Sequence, residues 1–392
     1  KKIAILGSSG SIGKNTLQIF NLNKNNFQIV LLSGNSNYSE ILKQIKIYKP
    51  LYFVVTNYFV YQKVKKKITN KKVKILYDFR DVPLRLKFDI TVAAIVGIAG
   101  LEPTIQFTKI SKKLLLANKE SIICGWHILS LIIKKNNTKL IPIDSEHFSI
   151  KQLTENYNDS DIKKIYLTAS GGPFLRRSLK SFKKIKSNEA FKHPNWIMGK
   201  KISIDSSNLM NKILELIEAY RLFPFDPKKY EIIIHPQSLI HAIVIFKNGQ
   251  VKFLYHETDM KIPIANAIYD NKIDIKKILK KNHNFINKLK DLKFEVVDKK
   301  KFPIVTLIKN KFLLKSGSII LNASNEVLVD SFIKNKIPYT GIFGTLKRVF
   351  NDRDFNKYAV KKVPNINEIY RIDNWARRKT IEIISKNYEK NI

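Results

Sequence analysis

The pattern of apolar and polar positions divides the chain into regions of different texture. Lys2–Leu6 is a short, almost wholly apolar run that stops at Gly7, and apolar residues then recur at helical spacing through Thr16, Leu17, Ile19 and Phe20. A run without alternation predicts a strand covered on both faces, and the recurrence after it predicts a helix. The same order repeats, with strands expected at Phe27–Leu32, Tyr52–Thr56, Lys72–Tyr77, Ile90–Val96 and Lys113–Ala117. Strand and helix alternating in this way argue for a parallel sheet with helices on both faces, a Rossmann-type α/β domain.

From about Leu140 the strands end in polar motifs. Leu140–Ile143 runs into Asp144-Ser145-Glu146-His147, and Lys164–Ala169 into Ser170-Gly171-Gly172-Pro173. A helix over Ser206–Leu222 and strands at Glu231–Ile234, Leu239–Phe246 and Val251–Tyr255 complete an α+β pattern. Beyond Asp274 the chain is rich in Lys and Asn, with helical pieces expected near Lys301–Lys315, Ala323–Lys334 and Trp375–Tyr388. The expected organisation is a nucleotide domain over 1–143, an α+β catalytic domain over 144–273, a linker over 274–300 and a helical domain over 301–392.

Composition narrows the classes. With 392 residues, 44% of them hydrophobic, the chain can bury a sizeable core. Its apolar runs fall short of the roughly 18 residues of a membrane span, and no basic-then-apolar leader opens the residues given, so a soluble cytoplasmic protein is expected. A single cysteine, Cys124, excludes an internal disulfide and a Cys-rich zinc site. The formal charge of +39 raises the question of nucleic acid, but only ten of the 71 basic residues are Arg, and the lysines are spread along the chain. A nucleic-acid face is local and contains Arg; the distribution points instead to lysine-rich codon usage, with no specific nucleic-acid partner.

The glycine turn Gly7-Ser-Ser9-Gly10-Ser11-Ile12-Gly13 joins the first strand to the first helix, where backbone N–H groups can approach a pyrophosphate. The second strand runs into Ser33-Gly34-Asn35-Ser36, without the acid that holds the ribose of NAD, which favours NADP. Asp144 and Glu146 stand two apart after a strand, so an extended backbone would turn both carboxylates to one side, as a hard metal requires. Asn211, Lys212 and Glu215 share an arc of their helix opposite Met210, Ile213, Leu214 and Ile217; this is either a solvated face or, with the other carboxylates, a magnesium or manganese site beside a phosphate. Ser170-Gly171-Gly172 is a phosphate cradle or an ordinary loop, and Trp196 a ligand cover or a core anchor. His235 and His241 read as structural rather than zinc-binding, and Cys124 as a buried small residue.

In series, GSSGSIG at 7–13, AAIVGIAGL at 93–101, LLANKES at 115–121, PIDSEH at 142–147, SGGPF at 170–174, HPNWIMGKKISIDS at 193–206, MNKILELIEA at 210–219, HPQSLIH at 235–241 and LNASNEV at 321–327 resemble the 1-deoxy-D-xylulose 5-phosphate reductoisomerase family along nearly the whole chain. The resemblance implies NADPH- and metal-dependent rearrangement and reduction of that sugar phosphate to 2-C-methyl-D-erythritol 4-phosphate, in non-mevalonate isoprenoid biosynthesis, by a homodimer. It places metal ligands on Asp144, Glu146 and Glu215, with Lys119 joining them in the chemistry. It places substrate contacts on Lys119, Ser145, Glu146, Ser170, His193, Trp196, Ser206, Asn211, Lys212 and Glu215. The cofactor residues it implies are Gly7, Ser9, Gly10, Ser11, Ile12, Gly34, Asn35, Ser36, Asn118, Glu120 and Gly199.

Three departures stand out against that pattern. Ser9 replaces a usual Thr, Asn35 stands where a basic residue would meet the 2′-phosphate, and Pro263-Ile-Ala-Asn266 lacks the family's His. On the residues alone, another NADP-dependent dehydrogenase and a basic nucleic-acid protein remain as rivals.

Overall fold

The computed structural model describes residues 1–69, 72–196, 199–279, 289, 291–359 and 362–388. It separates into two compact units, Lys1–Phe148 with Met260–His283, and Ser149–Asp259 with Asn284–Ile392.

The first unit is built on seven parallel strands: β1 (Lys2–Leu6), β2 (Gln28–Gly34), β3 (Tyr52–Val55), β4 (Lys74–Leu76), β5 (Phe88–Ala93), β6 (Ser111–Leu116) and β7 (Lys139–Pro142). Their order is β4-β3-β2-β1-β5-β6-β7. The chain therefore reverses its direction of winding between β1 and β5, and the crevice beyond their carboxyl ends is where such sheets bind ligands. Ile3, Ile5, Leu32, Phe53, Ile90, Val92 and Leu115 pack into one core, and Ala4, Leu6, Leu31, Val54, Leu114 and Leu116 are buried as well, so with both faces covered the strands are apolar without alternation. The helix Lys261–Tyr269 adds Ile264, Ala265 and Ile268 to that core.

The second unit carries a mixed sheet of β8 (Ile162–Ala169), β9 (Tyr230–Ile234), β10 (Ile240–Phe246), β11 (Val251–Tyr255) and β12 (Glu295–Val296), in the order β11-β10-β8-β9-β12. Strands β8 and β9 are parallel and the other pairs antiparallel. Helices Gly317–Ile333, Tyr339–Phe350 and Ile366–Tyr388 form its helical part. Much of the expected linker falls outside the described residues.

Four local expectations need correction. Asp144 and Glu146 are not on extended backbone: a helix runs over Ser145–Thr154, and Phe148 N donates to Asp144 O at 2.8 Å. The single helix expected over Ser206–Leu222 is two, Lys200–Ser207 and Met210–Leu222, broken where Leu209 takes φ 66°. The strand expected over Ile90–Val96 stops at Ala93, before the turn that contains Gly97 at φ 79°. The piece near Lys301–Lys315 is two 3-10 segments, Pro303–Lys309 and Lys311–Leu314, separated at Asn310, whose side chain accepts from Phe312 N.

Candidate active site

In the first unit the glycine turn is a backbone device. Gly7 has φ 85°, and a Cβ there would lie 2.7 Å from Ala94 O, so the turn after β1 and the turn after β5 meet main chain to main chain. A Cβ on Gly13 would lie 2.5 Å from Gly7 O, which fixes how closely the helix Ser11–Asn21 approaches the turn. Gly7 N donates to Ser33 Oγ at 2.8 Å, and Ser8 Oγ to Ser33 O at 2.9 Å, tying the turn to the end of β2. Gly10 caps a helix whose first N–H groups have no partner within the helix, the arrangement that receives an anion. Ser9 lies beside Gly34, where a Cβ would be 3.4 Å from Ser9 Oγ. Asn35 is exposed and its amide donates to Thr56 Oγ1 at 2.8 Å. This packed cradle fits the pyrophosphate of a dinucleotide, and the absence of an acid after β2 favours NADP over NAD, while Asn35 brings no charge to the 2′-phosphate.

Asn118 is buried and its side chain works internally. Its amide donates to Ile95 O at 2.7 Å, Gly97 O at 3.0 Å and Glu120 Oε2 at 2.9 Å, while its Oδ1 accepts from Ser121 N and starts the helix Lys119–Asn136. Because β6 and β7 are parallel neighbours, the residues after them meet at one end of the sheet. Lys119 Nζ lies 3.2 Å from Asp144 Oδ2, and His147 Nδ1 lies 3.5 Å from Asp144 Oδ1. Burial acts to raise the Asp144 pKa, but Lys119, followed by His147, outweighs it and holds the carboxyl well below the usual range. Ser145 Oγ donates to Glu146 Oε2 at 2.5 Å. An ionised carboxylate, a second carboxylate and a hydroxyl on one helix turn are hard oxygen donors suited to magnesium or manganese.

In the second unit, Ser170 follows β8 and the next two residues are forced glycines. Gly171 and Gly172 have φ 80° and 66°, and a Cβ on Gly172 would lie 2.9 Å from Ser206 O. The cradle therefore packs directly on the last turn of the helix containing Ser206. His193 Nε2 lies 2.9 Å from Ser170 Oγ, while His193 Nδ1 accepts from Asn195 N at 3.1 Å and Trp196 N at 3.0 Å. A ring nitrogen that accepts is unprotonated, so the neutral ring carries its proton on Nε2 and donates to Ser170. Burial, assisted by Lys212, pushes the His193 pKa down to about 4 and keeps the ring neutral. Gly172 N also donates to Ser170 Oγ, at 3.1 Å, which leaves the serine its own O–H to offer a ligand.

The solvated-face reading of the helix Met210–Leu222 fails. Lys212 is 6% exposed and Glu215 1%, and they form a 2.6 Å ion pair. Asn211 Nδ2 donates to the same carboxylate. Desolvating a charged pair is costly, and close geometry with a further hydrogen bond, here from Asn211, offsets part of that cost. Trp196 is half-buried and edge-on to His241, with ring centroids 6.0 Å apart. Around Gly199 there is open space. Cys124 is buried, as expected. Sequence reasoning gave no role to His147, Thr56, Asn195 or Ser238; only His147, three residues after Asp144 in a polar motif, carried a readable signal.

A doubly wound sheet with a glycine turn at its switch point, hard oxygen donors around Asp144 and a serine–glycine loop after β8 are the parts a metal-assisted, nucleotide-dependent oxidoreductase uses, and the comparisons with known proteins place the chain in that class. Three family models match: 1-deoxy-D-xylulose 5-phosphate reductoisomerase at residues 3–125, and two C-terminal domains of that enzyme at 140–223 and 256–379. A Pelagibacter ubique 1-deoxy-D-xylulose 5-phosphate reductoisomerase is 42% identical over 386 residues, covering 97% of this chain and 98% of its own. A crystal structure of DOX-P reductoisomerase in complex with NADPH, fosmidomycin and magnesium has a TM-score of 0.91 at 32% identity, covering 98% of both chains. The Zymomonas mobilis enzyme in complex with NADPH has a TM-score of 0.88 at 29% identity, covering 98% of this chain and 99% of its own. The chain belongs to the 1-deoxy-D-xylulose 5-phosphate reductoisomerase family.

Proposed function

We propose that this chain performs the family's reaction, converting 1-deoxy-D-xylulose 5-phosphate to 2-C-methyl-D-erythritol 4-phosphate with NADPH and a divalent cation. The observation that carries the reading is the pair of prearranged cation–carboxylate contacts, half-buried Lys119 on Asp144 in one unit and buried Lys212 on Glu215 in the other, at positions the resemblance implies. When bound, NADPH supplies hydride and the cation supplies Lewis acidity.

The chain's own residues do the rest. Asp144, Glu146 and Glu215 supply the metal ligands, with magnesium or manganese as the ion. Lys119 keeps Asp144 ionised and presents a cationic donor to the reacting oxygens. Ser170 donates its hydroxyl to the substrate phosphate; Ser206, Asn211 and Lys212 hold the same phosphate, and His193 and Trp196 border the substrate. Ser145 orients Glu146. Gly7, Ser9, Gly10, Ser11 and Ile12 receive the pyrophosphate, Gly34, Asn35 and Ser36 the ribose end, and Asn118, Glu120 and Gly199 the remaining cofactor contacts. Phosphate binding far from the reacting carbons contributes binding energy that positions them.

The proposed functional divisions are cofactor binding over 1–143, metal, substrate and dimer contacts over 144–273, a linker over 274–300 and a helical domain over 301–392; they cut across the compact units, since the helix Lys261–Tyr269 packs in the first unit's core and Glu295–Val296 of the linker adds β12 to the second sheet. The active form is a cytoplasmic homodimer without specific nucleic-acid partners; the lone buried thiol suits a reducing compartment. Among the described residues no helix is long and apolar enough to cross a membrane. The test is to incubate the protein with the deoxyxylulose phosphate, NADPH and magnesium and identify the product by NMR. The branched methylerythritol phosphate is expected; unchanged substrate with a folded protein would refute the reading.

A further inference from the structure

The motif His235-Pro-Gln-Ser238 has no part in the reaction described above, yet it is bonded into the cradle. His235 N donates to Ala169 O at 2.7 Å, immediately before Ser170. Ser238 N donates to His235 O at 3.0 Å and closes a turn in which Ser238 holds φ 55°. A non-glycine residue in that region costs about 1 kcal/mol, and the turn it makes offers Pro236 O and Ser238 Oγ to one group, the side-chain amide of Asn195, at 2.6 and 3.1 Å. The turn is itself braced from behind: His235 Nδ1 bonds Lys293 O at 2.8 Å, the His235 ring stacks on Phe294 at 4.7 Å, and Gln237 donates to Asp291 O.

These contacts close a circuit within the second unit. It runs from Ser170 to His193, from His193 Nδ1 to the N–H groups of Asn195 and Trp196, from the Asn195 amide to the turn, and from His235 back to Ala169. Only one side-chain group in the His193–Trp196 segment reaches the turn by hydrogen bonds, and it is the Asn195 amide. It ties the local turn in which the two N–H groups meet the ring nitrogen to a distant part of the chain.

We propose that Asn195 is a positioning residue for substrate binding: its amide clamps His193–Trp196 to the Pro236–Ser238 turn and thereby fixes His193 as a neutral Nε2–H donor to Ser170. The role rests on the functional reading above, in which Ser170, His193 and Trp196 border the substrate.

Asn195→Asp keeps the shape and removes both donors; Ser238→Ala removes one acceptor and keeps the Pro236 bond. In Asn195→Asp the Ser238 hydroxyl can turn to donate, but the carboxylate faces the Pro236 carbonyl without a proton between them; this predicts a fall in kcat/KM for the deoxyxylulose phosphate of roughly ten- to a hundredfold, carried mainly by KM, and a fall of about fivefold in Ser238→Ala. NADPH affinity and the thermal midpoint should stay near wild type. The direct readout is 15N NMR of histidine-labelled, ligand-free protein: wild-type His193 shows the Nε2–H tautomer, and Asn195→Asp shows averaging between tautomers. Wild-type KM with an unchanged His193 signal in Asn195→Asp would overturn the proposal, as would a loss confined to kcat. Should Asn195→Asp fail to fold, Ser238→Ala decides by the same two readouts. A wild-type protein that binds NADPH but does not turn over the substrate would defeat the functional reading instead, and the tautomer signal would still judge the clamp.

Discussion

The glycine turn of the first unit and the Ser170 loop of the second are both proposed to hold an anion, but they are built from different material. In the first, the working groups are main-chain N–H groups, and side chains serve chiefly by being absent: a Cβ on Gly7 or Gly13 would fall within 2.7 Å of backbone. In the second, the working groups are side chains held by one another, as in Ser170 with His193 and Lys212 with Glu215. A backbone site tolerates the exchange of neighbouring side chains, such as Ser for Thr at Ser9. A side-chain site loses a function with each residue.

That contrast sets the order of expected effects. Glu215→Gln, which removes the charge of a proposed metal ligand and half of a buried pair, should lower turnover on the order of a thousandfold. A fluorescence titration should show its NADPH affinity unchanged, because the cofactor turn does not involve it.

Acid should strike the second unit first. His193, His235, His241 and His256 all belong to it, and burial holds each below its ordinary value, His256 at about 4. The folded ring therefore stays neutral where the unfolded chain, with an ordinary value of 6.5, takes up a proton. Stability from His256 is complete above pH 6.5 and is lost as pH falls towards 4, by on the order of 3 kcal/mol. Hydrogen exchange followed from pH 7 down should show protection fall in the β8–β11 sheet before it falls in β1–β6; equal loss in both would break the comparison.

Gly13→Ala is the converse of Glu215→Gln. Its Cβ would stand 2.5 Å from Gly7 O, so NADPH affinity should drop roughly tenfold or more while the Ser170 cradle is untouched. The smallest effect is expected at Asn35. Asn35→Arg should tighten NADPH by about tenfold or less and leave NADH unchanged, measured by competitive titration, since a charge is added where the 2′-phosphate is proposed to lie without rebuilding the turn.

The two regions also differed in how far the sequence revealed them. The apolar runs of β1 to β7 and the glycine spacing were legible because both faces of a parallel sheet are covered and a tight turn needs glycine at fixed places. The break at Leu209 was not, because no Gly or Pro marks the left-handed residue; the signal that was there is the polar run Ser206-Ser207-Asn208, whose Asn208 side chain accepts from Met210 N at the start of the second helix. Asp144 and Glu146 were found by their spacing but given the wrong backbone: Ser145 opens a helix, and the two carboxylates stand one residue to each side of that start. Lys212 and Glu215 read as a solvated pair on local pattern alone, since burial of a charged pair is decided by distant chain. The contribution of Asn195 was invisible, because its partners lie about forty residues away in a turn whose sequence names no chemistry.

The most direct measurement is NADPH absorbance followed as each component is supplied in turn. Oxidation is expected only when the deoxyxylulose phosphate and magnesium or manganese are both present, and it should stop on chelation and return with added metal. A folded protein that binds NADPH yet oxidises none with substrate and metal present, or one that oxidises it equally well after chelation, would contradict the account.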